Sequence, residues 1–273
     1  MGRVLFILAC VASSALAGTI DDAIHDARYI EYGRGFAPYT ARIGGVDTDG
    51  TTPFGSCVLI HDRWALTAAH VVKDFTRGVV IASTGRRTID RICVHQGFSE
   101  PMFLWHDIAL VRVNEPFGLP RYPPLATGEV AIGATASVVG YGITGRLSTG
   151  HSTYDGELRA GTGIVARIED GVIVIPARRG ASPLPMCIAP GDSGGPLFVD
   201  GRLAGIHSLT MKVRDGTSTR SREGEESAHT RVALYHKWMH EVMGEDVDAV
   251  CTNRECPLRS QSPAIPSRSL ALE

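Results

Sequence analysis

The apolar positions of this chain fall into short runs separated by glycine, proline and acidic residues. Runs at 55–60, 64–67, 79–82, 88–94 and 108–113 are bounded by His61-Asp62, Gly78, Gly85, Gly97 and Pro116. Runs of this length, closed off by turn residues, predict strands, and their close spacing predicts an all-β barrel. Residues 39–44 predict a first strand and 46–53 its hairpin loop, with Asp49-Gly50 as the turn signal. Residues 68–73 predict one helical turn. Residues 114–128 hold four prolines and no clear period, which predicts a linker. A second set of strand-like runs follows at 134–141, 157–168, 172–175, 196–199, 203–209 and 229–232. Only near the C-terminal end does the period change. Tyr235, Trp238, Met239 and Val242 recur at three and four, as on one face of an amphipathic helix packed on a core. Residues 211–227 are polar and charged and predict a long loop. The chain beyond Cys256 is Pro- and Ser-rich and predicts disorder.

The first residues depart from this pattern. Arg3 is followed by an apolar run from Val4 to Leu16, and Ala15-Leu16-Ala17 is a small-residue cleavage signal. The run is short for a membrane span, so 1–17 reads as a signal peptide cleaved after Ala17, for a secreted or periplasmic protein with no membrane association once it is removed. Residues 18–38 are mixed and polar, and predict either an exposed lead-in or a removable propeptide. The resulting organisation is signal peptide 1–17, lead-in 18–38, a main domain 39–245 with barrels at 39–113 and 130–232 joined by 114–129, and a tail at 246–273.

Composition narrows the functional class. The 273 residues are 44% hydrophobic and 21% charged with a formal net charge of −2, enough for one large globular domain. No basic run or aromatic-basic stripe is present, which argues against nucleic acid as a partner. Of six cysteines, Cys10 leaves with the signal, and the five that remain are an odd number, so at least one is free or pairs between chains. Cys251 and Cys256 are close enough in sequence for a local bridge.

Three segments carry candidate chemistry. Gly191-Asp192-Ser193-Gly194-Gly195-Pro196 sets a serine among small residues. Gly191 lets a substrate carbonyl approach the backbone, and successive N–H groups around such a turn can converge on an anion. Leu66-Thr67-Ala68-Ala69-His70 ends an apolar run with a histidine, and His106-Asp107-Ile108-Ala109-Leu110 puts an aspartate at the head of another. Alone, each reads as a surface turn, a structural histidine or a capping aspartate. In the order His, Asp, Ser, the unaltered TAAH, DIAL and GDSGGP segments resemble the chymotrypsin/trypsin-like serine protease family over about residues 40–245, in a bacterial-type secreted form.

The resemblance implies two six-stranded antiparallel β-barrels with a C-terminal helix and a site in the cleft between them. It implies His70, Asp107 and Ser193 as catalytic triad and the N–H groups of Gly191 and Ser193 as oxyanion hole. By family spacing, the substrate pocket has Cys187 at its base and Ile188, Pro190, Ser208, Leu209 and Thr210 along its walls, with Ser227 reaching in. An acid at the base is missing, so a Lys or Arg preference is not implied unless Glu225 or Glu226 turns inward. Gly205-Ile206-His207-Ser208 is similar to the segment of glutamyl endopeptidases whose histidine faces the substrate carboxylate, so His207 points to an acidic preference, against a small or apolar one. Ser208 resembles the family serine that bonds the triad aspartate. Two customary disulfides are absent, as in many bacterial members. In many members, cleavage after a basic residue frees an ammonium that pairs with the Asp before the serine. Arg42-Ile43-Gly44-Gly45 is similar to that site but too near His70, so Asp192 needs another partner. Protein or peptide substrates, a monomer and no cofactor are expected. The rival function is an inactive homologue that docks a partner.

Overall fold

The computed structural model describes residues 18–99, 105–169, 171–212 and 220–244. The signal peptide 1–17, the tail 246–273 with its Cys251–Cys256 pair, and the middle of the 211–227 loop lie outside the described residues. In chain order the elements begin with β1 (Gly18–Ile20), α1 (Ala27–Arg34), β2 (Thr40–Asp47), β3 (Phe54–His61), β4 (Trp64–Thr67), α2 (Ala69–Val72), β5 (Phe75–Ala82), β6 (Gly85–Val94) and β7 (Ala109–Val113). They continue with β8 (Thr135–Gly140), β9 (Thr144–Arg146), β10 (Gly150–Thr153), β11 (Arg159–Ile164), β12 (Arg167–Glu169) and β13 (Val172–Pro176). The last are β14 (Met186–Cys187), β15 (Pro196–Val199), β16 (Arg202–Lys212), β17 (Glu225–Arg231), a 3₁₀ turn (Val232–Tyr235) and α3 (His236–Met243).

Strands β2-β3-β4-β7-β6-β5 close into a barrel. Its strands β3 and β4 are mostly apolar: all four residues of β4 are buried, and so are most of β3. The strand β6 alternates exposed Arg86, Thr88 and Asp90 with more covered neighbours, the period-2 signature of a half-solvated strand. Arg42-Ile43-Gly44-Gly45 lies inside β2, paired with β3 on one side and β5 on the other, and Ile43 is buried. β2 continues to Asp47, three residues past the expected end of the strand, and the turn at Asp49-Gly50 follows it.

The second unit differs from the expected closed barrel. Its strands form a seven-stranded sheet, β11-β8-β15-β16-β17-β13-β12, that curls without closing its ladder. One would-be member, β14, is instead paired with β1, in a four-stranded sheet of order β10-β9-β1-β14. The run at 157–168 breaks into β11 and β12 around Val165 and Ala166. Part of the expected loop at 211–227 is strand, since β16 runs to Lys212 and β17 starts at Glu225.

Residues 18–38 pack in part onto the second unit, with Gly18–Asp21, Tyr29 and Gly33 buried and other positions exposed. Gly18–Ile20 are buried, with β1 antiparallel to β14 and parallel to β9. Tyr29 of α1 is fully covered, and its hydroxyl donates to the Pro185 carbonyl at 3.1 Å. The buried Arg159 guanidinium of β11 binds Asp26, at the start of α1, through two bonds of 2.7 and 2.9 Å, and also binds Asp155 at 2.8 Å. Both ionic partners satisfy the guanidinium fork, which is what makes burying an arginine tolerable. Ile20 and Tyr29 thereby join the core of the second unit, while Trp238, Met239 and Val242 of α3 join the core of the first. No described helix is long and apolar enough to cross a membrane.

Candidate active site

The loop that carries Ser193, 188–195, connects β14 to β15 and is built on left-handed glycines. Gly191 has φ +92° and Gly194 φ +83°. A Cβ at Gly194 would overlap the Thr67 hydroxyl and the Ser56 carbonyl, so the loop packs against the first barrel at a distance only glycine permits. The Gly194 N–H donates to the His207 carbonyl at 2.8 Å and that of Gly195 to the Asp192 carbonyl at 2.8 Å. Among the described residues the N–H groups of Gly191 and Ser193 carry no hydrogen bond, leaving two donors on one turn for an oxyanion.

A serine that sequence reasoning missed fixes this loop to the first barrel. The Ser56 N–H donates to the Ser193 carbonyl at 2.9 Å, and the Ser56 hydroxyl donates to the Gly191 carbonyl at 2.9 Å. That hydroxyl also accepts from the Tyr141 N–H at 3.0 Å. The carbonyls at 191 and 193 are thus both tied to Ser56 of the first barrel. The one sequence signal was a polar residue inside the apolar 55–60 run.

His70 stands in α2, the turn that leaves β4, and Asp107 stands just before β7, the strand paired with β4. This pairing brings the two together. The His70 Nδ1 lies 2.8 Å from one Asp107 carboxylate oxygen, and the His70 N–H donates to the other at 3.0 Å. The Ser208 hydroxyl donates to the same carboxylate at 2.6 Å, and the Thr230 hydroxyl donates to the Asp107 carbonyl at 3.0 Å. The Asp107 side chain is fully buried, the His70 side chain one quarter exposed. Ser193 Oγ is 3.5 Å from the Ser208 carbonyl, so Ser208 connects Asp107 and Ser193. Behind Asp107, His106 takes a left-handed φ of +56°, and its Nδ1 is 3.1 Å from the Tyr235 hydroxyl. Burial depresses its pKa and pushes that of the stacked His95 down to about 4, which keeps both rings neutral.

The predicted pocket residues divide. A cavity of about 280 Å³ beside Ser193 is lined by Ile188, Pro190, Ser208, Leu209 and Thr210, together with Ala189, Ser221 and His151. Cys187 and Ser227 lie outside this lining, fully buried, with Sγ and Oγ 3.5 Å apart. Burial raises the Cys187 thiol to about 12. His207 does not face the pocket. It is fully buried, with Nδ1 2.8 Å from His229 Nδ1 and Nε2 3.1 Å from the Val139 carbonyl. Burial lowers its pKa to about 3, so it stays a neutral packing residue. The cause is local: the β16–β17 register shifts between His207 and Leu209, so the bulge aims Ser208 at Asp107 and turns His207 inward. Neither nearby acid enters the pocket. Glu225 accepts from the Arg220 N–H at 3.0 Å, and Glu226 pairs with Arg167 at 2.6 Å.

Asp192 is the other buried acid. Its carboxylate accepts from the Gly142 N–H at 2.7 Å and the Ala189 N–H at 2.8 Å. Among the described residues no ion pair reaches it, and burial raises its pKa to about 7 despite both bonds. Next to Gly142, the Ile143 carbonyl accepts from the Gly18 N–H at 3.1 Å.

The layout is that of enzymes that attack acyl carbons with a serine between two β units. The family model described as Trypsin matches residues 31–239, and the chain belongs to the trypsin-like serine protease family. It is similar to Protein C activator from Agkistrodon piscivorus leucostoma, 23% identical over 71% of this chain and 79% of that one. It is also similar to Trypsin I-P1 from Gallus gallus, 26% identical over 69% of this chain and 79% of that one. Among solved structures, HL collagenase shares the fold with a TM-score of 0.64, 22% identity, and coverage of 84% of this chain and 98% of that one.

Proposed function

We propose that this chain is a secreted serine endopeptidase that hydrolyses peptide bonds through an acyl-enzyme. His70 takes the proton of Ser193 Oγ as it attacks the carbonyl carbon, then gives it to the leaving amine. Asp107 holds the imidazole tautomer and stabilises the imidazolium, and the N–H groups of Gly191 and Ser193 receive the oxyanion. Water then repeats the sequence on the ester. The observation that carries this reading is the Asp107 carboxylate, buried and bonded at once to His70 and Ser208, with Ser208 next to Ser193. The pocket gives no support to a Lys or Arg preference, because no acid lines it among the described residues. The free, buried Cys57 and Cys187 support a form without the customary disulfides, as in bacterial-type members.

The chain acts without cleavage at Arg42, which lies within a doubly paired strand. Removal of residues 1–17 leaves an ammonium on Gly18, one hydrogen bond from the 142–143 segment that holds Asp192. That ammonium is the missing counter-charge for the buried carboxylate, so signal removal is the only processing step. The test is the N-terminal residue of the purified protein together with fluorophosphonate labelling of wild type beside Ser193→Ala. Labelling of a chain that starts at Gly18, lost in the variant, is expected. Labelling only after cleavage to Ile43 refutes the processing scheme, and no labelling in any form points to a non-catalytic docking module.

A further inference from the structure

We infer that the pocket beside Ser193 selects an acidic side chain on the residue whose carbonyl is attacked, and that His151 and Ser221, rather than His207, read it. The inference rests on the protease reading above and names its substrate class. Ser221 is a built feature of the pocket wall. It holds a left-handed φ of +57° and is 1% exposed, and its hydroxyl has no hydrogen-bond partner among the described residues. A non-glycine residue keeps such a conformation only where its surroundings impose it. Here they do: the buried Glu225 carboxylate accepts from the N–H groups of Arg220 at 3.0 Å and Arg222 at 3.3 Å, on either side, and the Thr19 hydroxyl donates to the Ser221 carbonyl. Glu225 is consumed by this clamp.

His151, on β10, is held from the same loop. Its backbone N–H and its Nδ1 both lie 2.9 Å from the Arg220 carbonyl. A carbonyl only accepts, so Nδ1 carries a proton, and Nε2 is the ring edge left for a ligand. Among the described residues the cavity lining therefore offers hydroxyls, that of Ser221 included, and an imidazole, and no carboxylate. A carboxylate entering it can take a charge-assisted bond from the Nε2–H of an imidazolium and a bond from Ser221. An amide gains only neutral bonds. A lysine or arginine meets an imidazole with no counter-charge. An apolar side chain leaves the buried Ser221 hydroxyl unpaired, as it is in the empty pocket, and gains nothing from either group.

The test is kcat/KM on a peptide set identical but for Glu, Gln, Ala or Lys before the scissile bond, with wild type, His151→Ala, His151→Lys, Ser221→Ala and Ser193→Ala. Charge-assisted bonds are roughly twice as strong as neutral ones, so Glu is expected to exceed Gln by about tenfold or more. The ratio should fall towards one in His151→Ala, recover in His151→Lys, and fall in part in Ser221→Ala. A wild-type ratio near one, or a ratio untouched in His151→Ala, overturns this inference while the protease reading stands. Hydrolysis that does not depend on Ser193, or no hydrolysis at all, overturns both.

Discussion

The buried Asp192 makes the processing scheme quantitative. With no ammonium nearby, burial moves its pKa from an ordinary 3.8 to about 7. The folded state then holds this proton more tightly than the unfolded chain does. Well below pH 3.8 both states are protonated and the group contributes nothing, and at pH 4 the loss is still small. As pH rises the unfolded chain ionises first, and folding loses stability until about pH 7, beyond which the loss is constant. A shift of about three units corresponds to about 4 kcal/mol. An ammonium on Gly18 offsets this loss by keeping the carboxylate charged in the folded state. The perturbation is one extra residue before Gly18, in a Ser193→Ala background so that the samples do not digest themselves. Compared with a chain starting at Gly18, the extended chain should melt at nearly the same temperature at pH 4. At pH 7 it should melt lower, by roughly 8–16 °C if the whole loss is exposed, at ~2–4 °C per kcal/mol. Asp192→Asn in the extended chain should remove the pH-dependent part of that difference, since an amide does not ionise, while its NH2 group gives up one of the two accepting oxygens. A calorimetric scan of the three chains at both pH values decides it. Equal melting temperatures at pH 7, or the same gap at pH 4, would refute the argument.

Three further outcomes follow from the same contacts. Ser208→Ala removes the 2.6 Å bond to Asp107 and should lower kcat by roughly 5- to 30-fold, with less effect on KM, since a bond to a charged group is worth about 1–2 kcal/mol more than its exchange with water. Arg159→Ala strands Asp26 and Asp155 without their buried partner and should cost about 3 kcal/mol, read as a denaturant midpoint that falls at unchanged slope. Gly194→Ala combines a left-handed φ with overlap against Thr67 and Ser56, and should abolish fluorophosphonate labelling even in whatever fraction folds, as near-ultraviolet dichroism and labelling of one sample would reveal.

Much of the fold was legible from short-range pattern. Strand runs such as 64–67 and 108–113 are apolar because β4 and β7 sit inside a closed barrel, and the amphipathic 235–242 stretch became part of α3 on that core. The helix α1 was not legible, because its stabilising contacts are distant: Arg159 and Pro185 reach it from far along the chain. The same holds for the open second sheet. Nothing near Met186 and Cys187 in sequence says that residues 18–20 will take their edge.

The residues proposed for catalysis lie in contiguous segments whose composition follows from local backbone demands, with glycines where φ must be positive and a serine between them. Such demands are written in the order of residues, and one sequence is enough to read them. Which face a side chain presents is different. Along a strand it depends on register, and one bulge reverses it: the shift after His207 sent that ring into the core beside His229 and left the pocket to His151, from a hairpin more than fifty residues away. Likewise the counter-charge proposed for Asp192 comes from the far end of the chain, brought there by strand pairing. Facing and long-range charge pairing are properties of packed elements, so they came into view only with the tertiary structure.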